Sequence, residues 1–325
     1  MHTFRKQSGL GLKPMNVEDM NKIVGTGLRS ISFGNAKDCN SQGVLISIPV
    51  PNSGNVVEVC SNDVTSSPAI LSVDVTKKFQ EVIGFGGAFT EASALNFYKM
   101  PSESRERFIE MYYGKTGIGF TVGRISINSC DFSIKSYSFD DIKGDIELEY
   151  FDTEVTHDNA FIIPMIRLAM DATVRPVKIL ASPWSPPAWM KKPQPTTSSG
   201  NGVTYSMTGS VWPNGLSDDP LIQDAWARYI AKFITAYEYK DVPIWAITPQ
   251  NEPEFPAPWE ACAYNATGER DFINDHLGPI LRSEHPDVLI LAFDHNKDHL
   301  KAWAETIIGG DTGNYVDGMA FHCEL

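Results

Sequence analysis

Ile244-Trp245-Ala246-Ile247-Thr248-Pro249-Gln250-Asn251-Glu252-Pro253 is the stretch on which the reading of this chain turns. Its first five residues form a short apolar, β-rich run, the composition of a buried strand. That strand delivers an Asn-Glu pair, and Pro253 then stops regular structure because proline has no backbone donor. Working outward, similar apolar runs lie at 82–89, 120–127, 177–181, 288–293 and 316–321. Amphipathic stretches at 102–113, 159–172, 221–237, 269–282 and 297–308 separate them and predict helices. The helix at 221–237 is the clearest. Ile222, Trp226, Tyr229, Ile230, Phe233 and Tyr237 share one face, and Asp218-Asp219-Pro220 supplies an acidic, capped start.

Strands alternating with helices imply a parallel sheet with right-handed crossovers, which a doubly wound sheet and a closed barrel both satisfy. The polar residues separate the two. The runs end at Thr90-Glu91, at Asn128 to Asp131, at Trp184, at Asn251-Glu252, at Asp294 to Asn296 and at His322. No glycine-rich phosphate loop opens a helix, and Gly84-Phe85-Gly86-Gly87 has the wrong spacing for a dinucleotide fingerprint. Functional groups gathered from many strand ends mark the active face of a (β/α)8 barrel. The expected fold is therefore α/β, a TIM barrel over 77–325 with six of its eight strands present. Residues 1–76 lack helical periodicity and carry short alternating runs at 43–48 and 55–59, which predicts a β-rich segment of a side domain.

With 42% hydrophobic and 21% charged residues over 325 positions, the chain has the profile of a globular protein with a substantial core. The 27 basic against 40 acidic residues give a net charge of −13, which argues against a nucleic-acid surface, since that needs a basic stripe. No apolar run is long enough for a transmembrane helix. Residues 1–8 are positively charged, but no apolar segment follows them, so no secretory signal is visible in this chain. Five cysteines occur without a CxxC pair, which argues against zinc or redox motifs, and neither a metal nor another cofactor is expected. Asn265-Ala266-Thr267 is a glycosylation acceptor triplet.

Three segments carry candidate chemistry. A Glu at the mouth of a barrel beside aromatic walls meets the need of glycoside hydrolysis for a carboxylic acid whose pKa is raised by its surroundings. Glu252 is that candidate, and the adjacent Asn251 is placed to hydrogen-bond a sugar 2-hydroxyl; Asn-Glu-Pro after a strand is equally the composition of a solvated loop. Ala181-Ser182-Pro183-Trp184-Ser185-Pro186-Pro187-Ala188-Trp189 is a proline-stiffened loop whose two indoles offer flat faces and N–H donors, or else a packed turn. Asp131, in Ser129-Cys130-Asp131-Phe132-Ser133, is a bidentate acceptor for sugar hydroxyls. Arg124, on the strand before it, needs a carboxylate partner if it faces the barrel interior, for function or for structure.

Gly84-Phe85-Gly86-Gly87-Ala88-Phe89-Thr90-Glu91-Ala92, Cys130-Asp131-Phe132-Ser133-Ile134, Leu180-Ala181-Ser182-Pro183-Trp184, Ala225-Trp226-Ala227-Arg228-Tyr229 and Asn251-Glu252-Pro253 together resemble glycoside hydrolase family thirty, in its glucosylceramidase branch. The motifs occur in family order and spacing over 75–322. The resemblance implies a retaining β-glucosidase acting on glucosylceramide or another β-glucoside, in the lysosome or outside the cell, with contact to a membrane surface to reach a lipid substrate. It implies Glu252 as acid/base and Asn251, Asp131 and Trp184 as sugar-binding residues. Arg124 resembles an arginine that hydrogen-bonds the nucleophile, and His322 resembles a histidine of the sixth strand. The N-terminal strands would belong to a side β-sandwich.

Two departures stand out. The family follows the histidine with Trp-Tyr, where Cys323-Glu324 stand here, so Glu324 occupies the place of a tyrosine and not of the nucleophile. The nucleophile belongs to a seventh strand, so a chain of six strands is expected to be a partial, inactive barrel. The alternatives are a relative acting on another β-linked glycan, or a non-catalytic sugar- or lipid-binding remnant.

Overall fold

The computed structural model describes residues 44–49, 56–61, 76, 78–195, 203–210, 215–309 and 315–322. Within 1–76, Val44–Pro49 and Val56–Ser61 pair as an antiparallel hairpin, close to the two alternating runs. Cys323 and Glu324 lie outside the described residues.

Six strands form one sheet: β1 (Gly86–Ala88), β2 (Val122–Ile127), β3 (Lys178–Pro183), β4 (Ile244–Ile247), β5 (Leu289–Asn296) and β6 (Gly318–His322). Every neighbouring pair is parallel, and the spatial order is the chain order. A doubly wound sheet reverses its strand order at a switch point. This sheet never does, so it has the strand order of a (β/α)8 barrel, with six strands formed. Between the strands run α1 (Glu91–Lys99), α2 (Ser102–Tyr112), α3 (Ile162–Ala172), α4 (Pro220–Glu238), α5 (Ala266–Phe272), α6 (Gly278–Glu284) and α7 (Leu300–Ile308). No helix among the described residues is long and apolar enough to cross a membrane.

The two-residue period of β2 decides what faces the barrel interior. Ile125 and Ile127 are buried in the apolar core, which leaves Arg124 on the opposite, inward face. The core is dominated by α4, whose Trp226, Tyr229, Phe233 and Tyr237 are fully buried. Its start is as the sequence predicts: the Asp219 carboxylate accepts from the Leu221 N–H, and Pro220 fills the first turn, where no donor is needed.

Three expectations need correction. The first strand is much shorter than 82–89. Val82, Ile83 and Phe85 are exposed, and only the Gly-Gly-Ala segment pairs with β2. Glycine is required there, because a Cβ on Gly86 would lie 1.5 Å from the Val122 carbonyl oxygen. Thr90-Glu91 does not end the strand but opens α1, with the Thr90 hydroxyl accepting from the Ser93 N–H at 3.1 Å. Glu91 is buried, accepts from the Ile134 N–H and pairs with His157 at 3.0 Å, fastening the loop after β2. The helix expected over 269–282 is three pieces: α5, a π-turn at Ile273–Leu277, and α6. Pro279 is the cause, since it lacks the N–H that the preceding turn needs and its ring crowds the carbonyl four residues back.

Candidate active site

Arg124 is fixed from four sides. Its Nη2 donates to Asn251 Oδ1 and to Asp294 Oδ2, each at 2.8 Å. Its Nε reaches Ser182 Oγ at 3.3 Å, and the guanidinium lies 4.8 Å from the centre of the Trp184 ring. The carboxylate partner that an inward Arg requires is therefore Asp294, at the end of β5. Because the guanidinium occupies Asn251 Oδ1, the Asn251 amide is oriented with its NH2 group left to donate to a hydroxyl.

Asp294 is the electrostatic hub. It is 3% exposed, and its carboxylate also accepts from Thr248 Oγ1 at 2.8 Å and contacts His322 Nε2 at 3.0 Å. Burial alone would raise its pKa; the Arg124 charge, His322 and Thr248 hold it well below the usual carboxylate range. Burial lowers His322, but the hydrogen bonds to Asp294 and Glu252 and the Asp294 charge outweigh it and raise its pKa to about 9. His322 is thus an imidazolium at neutral pH, 3.4 Å from Glu252 Oε1 through Nδ1. Glu252 is lowered, chiefly by the His322 hydrogen bond, with burial opposing it. Among the described residues the surroundings of Glu252 lower its pKa where a rise was expected, because a cation on β6 faces it.

The backbone that aims these groups is strained. Glu252 has φ +50°, and Phe293 and Asp294 have φ +81° and +55°. Left-handed conformations of bulky residues cost about 1–3 kcal/mol each and persist where the surroundings over-determine them. The Glu252 N–H donates to the Asp294 carbonyl at 3.0 Å, and the Asn251 N–H to the Pro183 carbonyl at 2.8 Å. The turn after β4 is therefore clamped between the ends of β3 and β5.

Arg124, Asp131, Trp184, Asn251, Glu252 and His322 all line one open cleft of about 580 Å³ at the carboxyl ends of the strands. Burial raises the Asp131 pKa, and the Glu252 and Glu260 charges act in the same direction. The Asp131 loop is tied to the loop after β4 by buried Glu260, which accepts from Ser129 Oγ and Ser136 Oγ at 3.0 and 2.6 Å. Of the two indoles, only Trp184 reaches the cleft. Trp189 is buried, with its Nε1 donating to the Asp140 carbonyl, so for that residue the packed-turn alternative holds. The residues that sequence reasoning passed over as site members are Asp294, Thr248 and the lining residues Phe132, Glu254, Phe255, Trp259, His295 and Asn296. Asp294 had a signal, as the only acid at the end of the fifth strand. Phe255 and Trp259 sit on an irregular loop and had none. Asn265 of the glycosylation triplet is exposed and caps α5 through the Gly268 N–H. Cys130 and Cys262 are buried free thiols.

A parallel barrel sheet with carboxylates, an arginine and aromatic faces converging on its carboxyl-end cleft defines the glycoside hydrolase class of TIM barrels. The chain belongs to glycosyl hydrolase family 30: the family's TIM-barrel domain matches residues 82–325. It is 34% identical over 263 residues to the lysosomal acid glucosylceramidase of Mus musculus, covering 79% of this chain and 48% of that protein. It is 32% identical over 261 residues to an endo-1,6-beta-D-glucanase of Neurospora crassa, covering 78% and 50%. Among solved structures, SrfJ from Salmonella typhimurium superposes with a TM-score of 0.68 at 29% identity, over 86% of this chain and 60% of that one. The chain spans about half the length of these two sequence relatives.

Proposed function

We propose that this chain is the greater part of the catalytic barrel of a retaining β-glucosidase that cleaves glucosylceramide to glucose and ceramide, with Glu252 as acid/base. The observation that carries the reading is the convergence of Glu252 and Asn251, from β4, with Arg124, Asp131, Trp184 and His322 in one cleft. Asp131 and Trp184 grip the glucosyl ring, and the free NH2 of Asn251 donates to its 2-hydroxyl, a bond that strengthens as the oxocarbenium ion develops. Glu252 protonates the departing oxygen and later activates water. The attacking carboxylate belongs, by family resemblance, to a seventh strand, about 5–5.5 Å from Glu252 in a retaining enzyme. That like charge raises the Glu252 pKa and counters the lowering by His322, giving the acid form its proton. A lipid substrate brings with it a lysosomal or secreted location and contact with a membrane surface.

A second reading is hydrolysis of a β-1,6-glucan, which the glucanase relative supports. Phe132, Phe255 and Trp259, each more than a third exposed, rim the cleft and would stack on further sugar rings as readily as they would cover a lipid aglycone. The test is to incubate a form of the protein that carries the seventh strand with glucosylceramide in anionic vesicles and, separately, with a β-1,6-glucan, and to measure the sugar released. Release from glucosylceramide alone supports the first reading, and release from the glucan alone supports the second. In either case Glu252→Gln should lower turnover of the natural substrate by about 10²–10⁴-fold while sparing substrates with good leaving groups. Near-normal turnover in that variant rejects Glu252 as the acid/base.

A further inference from the structure

β5 leaves its ladder just where it enters the site. Ala320 of β6 pairs with Phe293 and Phe321 with His295, so Asp294 is a bulge residue with no cross-strand partner. Phe293 and Asp294 are also the consecutive pair with positive φ. A bulge of this kind re-aims a side chain, and the side chain re-aimed here is the carboxylate that holds both Arg124 and His322. Something must hold the bulge against relaxation to regular strand.

That support comes from behind the sheet. Glu269, on α5, is fully buried, and its Oε1 accepts from the Phe293 N–H at 2.8 Å. Its Oε2 is buried with no hydrogen-bond partner. We propose that Glu269 is a positioning residue for the candidate active site: from the helix layer it clamps the β5 bulge and so aims Asp294 at Arg124 and His322. This rests on the reading of the cleft as the catalytic site, although the clamp itself is a structural claim that stands apart from any activity.

The chemistry of the clamp fits its surroundings. Burial chiefly, with the charges of Asp294 across the bulge and Glu254 from the loop after β4, raises Glu269 to about 8 against the opposing hydrogen bond from the Phe293 N–H. The buried Tyr264 phenol is its other titratable neighbour. Below that pH the protonated form is favoured, with Oε1 accepting from the Phe293 N–H and Oε2 buried without a partner. A neutral acceptor suits the site, because a second carboxylate charge there would repel the Asp294 carboxylate and disfavour its ionised form.

The test measures the imidazole titration of His322 by NMR in the wild type and in Glu269→Gln and Glu269→Leu. Gln keeps the neutral carbonyl acceptor, so His322 should still titrate near 9 and the pH profile of hydrolysis should be kept. Leu fills the same space without an acceptor, so the bulge relaxes, Asp294 withdraws, and His322 should titrate closer to its ordinary 6.5. With that change, kcat of the form that carries the seventh strand should fall on the order of 10²-fold, the cost of misplacing a catalytic group by about 1 Å. A folded Glu269→Leu with an unchanged His322 titration overturns the proposal, as does a Gln variant that behaves like Leu. Hydrogen exchange of the Phe293 amide in the wild type tests it without any variant: strong protection supports the clamp, and loop-like exchange overturns it. If Glu252→Gln left hydrolysis intact while Glu269→Leu still displaced the His322 titration, the catalytic reading would fail and the clamp would stand.

Discussion

Replacing Asp294 by Asn removes the carboxylate that pairs with Arg124 and one of the two that face His322, the other being Glu252. The carboxylate is fully buried and holds two cations, through Arg124 Nη2 at 2.8 Å and His322 Nε2 at 3.0 Å. Breaking a buried pair by removing one partner costs about 3–5 kcal/mol. The His322 share has an upper bound: the gap between its ordinary 6.5 and about 9 is worth roughly 3 kcal/mol at 1.36 kcal/mol per pKa unit, and Glu252 supplies part of it. The signs fix the pH window. Asp294, depressed in the fold, contributes above its ordinary 3.8, and that contribution is lost as pH falls through its folded value. His322, raised in the fold, contributes fully below 6.5 and loses its contribution as pH rises through about 9. Both act together between 3.8 and 6.5. Urea unfolding of wild type and Asp294→Asn in that window should differ by about 3–5 kcal/mol, and the gap should narrow above the folded His322 pKa, leaving the Arg124 share. A difference below about 1 kcal/mol, the level of an exposed ion pair, or a gap that does not change with pH, would refute this account of the network.

Asp131→Ala should weaken a glucose-like inhibitor by roughly 1.5–3 kcal/mol, the value of a hydrogen bond to a charged group, with a smaller loss for Trp184→Ala; isothermal titration with both variants folded is the check. Tyr229→Phe removes the hydroxyl that donates to Asn128 Oδ1 at 2.5 Å and accepts from the Phe139 N–H at 2.6 Å. It should cost about 1–3 kcal/mol in thermal or urea unfolding, because two buried groups lose their partner. Lys191→Met deprives the carbonyls of Met207, Gly209 and Ala261 of the buried ammonium that joins them. Its stability should fall by at least about 1–3 kcal/mol, and proteolysis should become faster in the loop after β3.

The barrel was legible because its signal is periodic and repeated. Apolar runs and amphipathic faces recur, and α4 shows its buried face, its Asp219 cap and its Pro220 start in sequence alone. Asp131, Trp184, Asn251, Glu252 and His322 were legible for a related reason, since in a parallel barrel every strand delivers its carboxyl end to one face, and Arg124 as a charge inside a strand that needs a partner. Motif spacing then matched them to a family. What failed was local. Thr90-Glu91 reads equally as a strand end or a helix cap, and the structure decides for the cap: pairing with β2 ends at Ala88, and the Thr90 hydroxyl accepts from the Ser93 N–H.

Sequence by itself thus determined the order of elements, the face on which the polar groups gather and the family to which the chain belongs. Tertiary structure alone decided which charges meet. Arg124 and Asp294 are 170 residues apart, and their contact depends on a bulge at Phe293–Asp294 that no periodicity announces. The direction of the Glu252 pKa was decided in the same way. A carboxylate among aromatic residues is raised by burial, yet here His322 on β6, held protonated by Asp294, lowers it. Electrostatic energy depends on distances of a few ångströms between groups far apart in the chain, and those distances exist only once the sheet has formed.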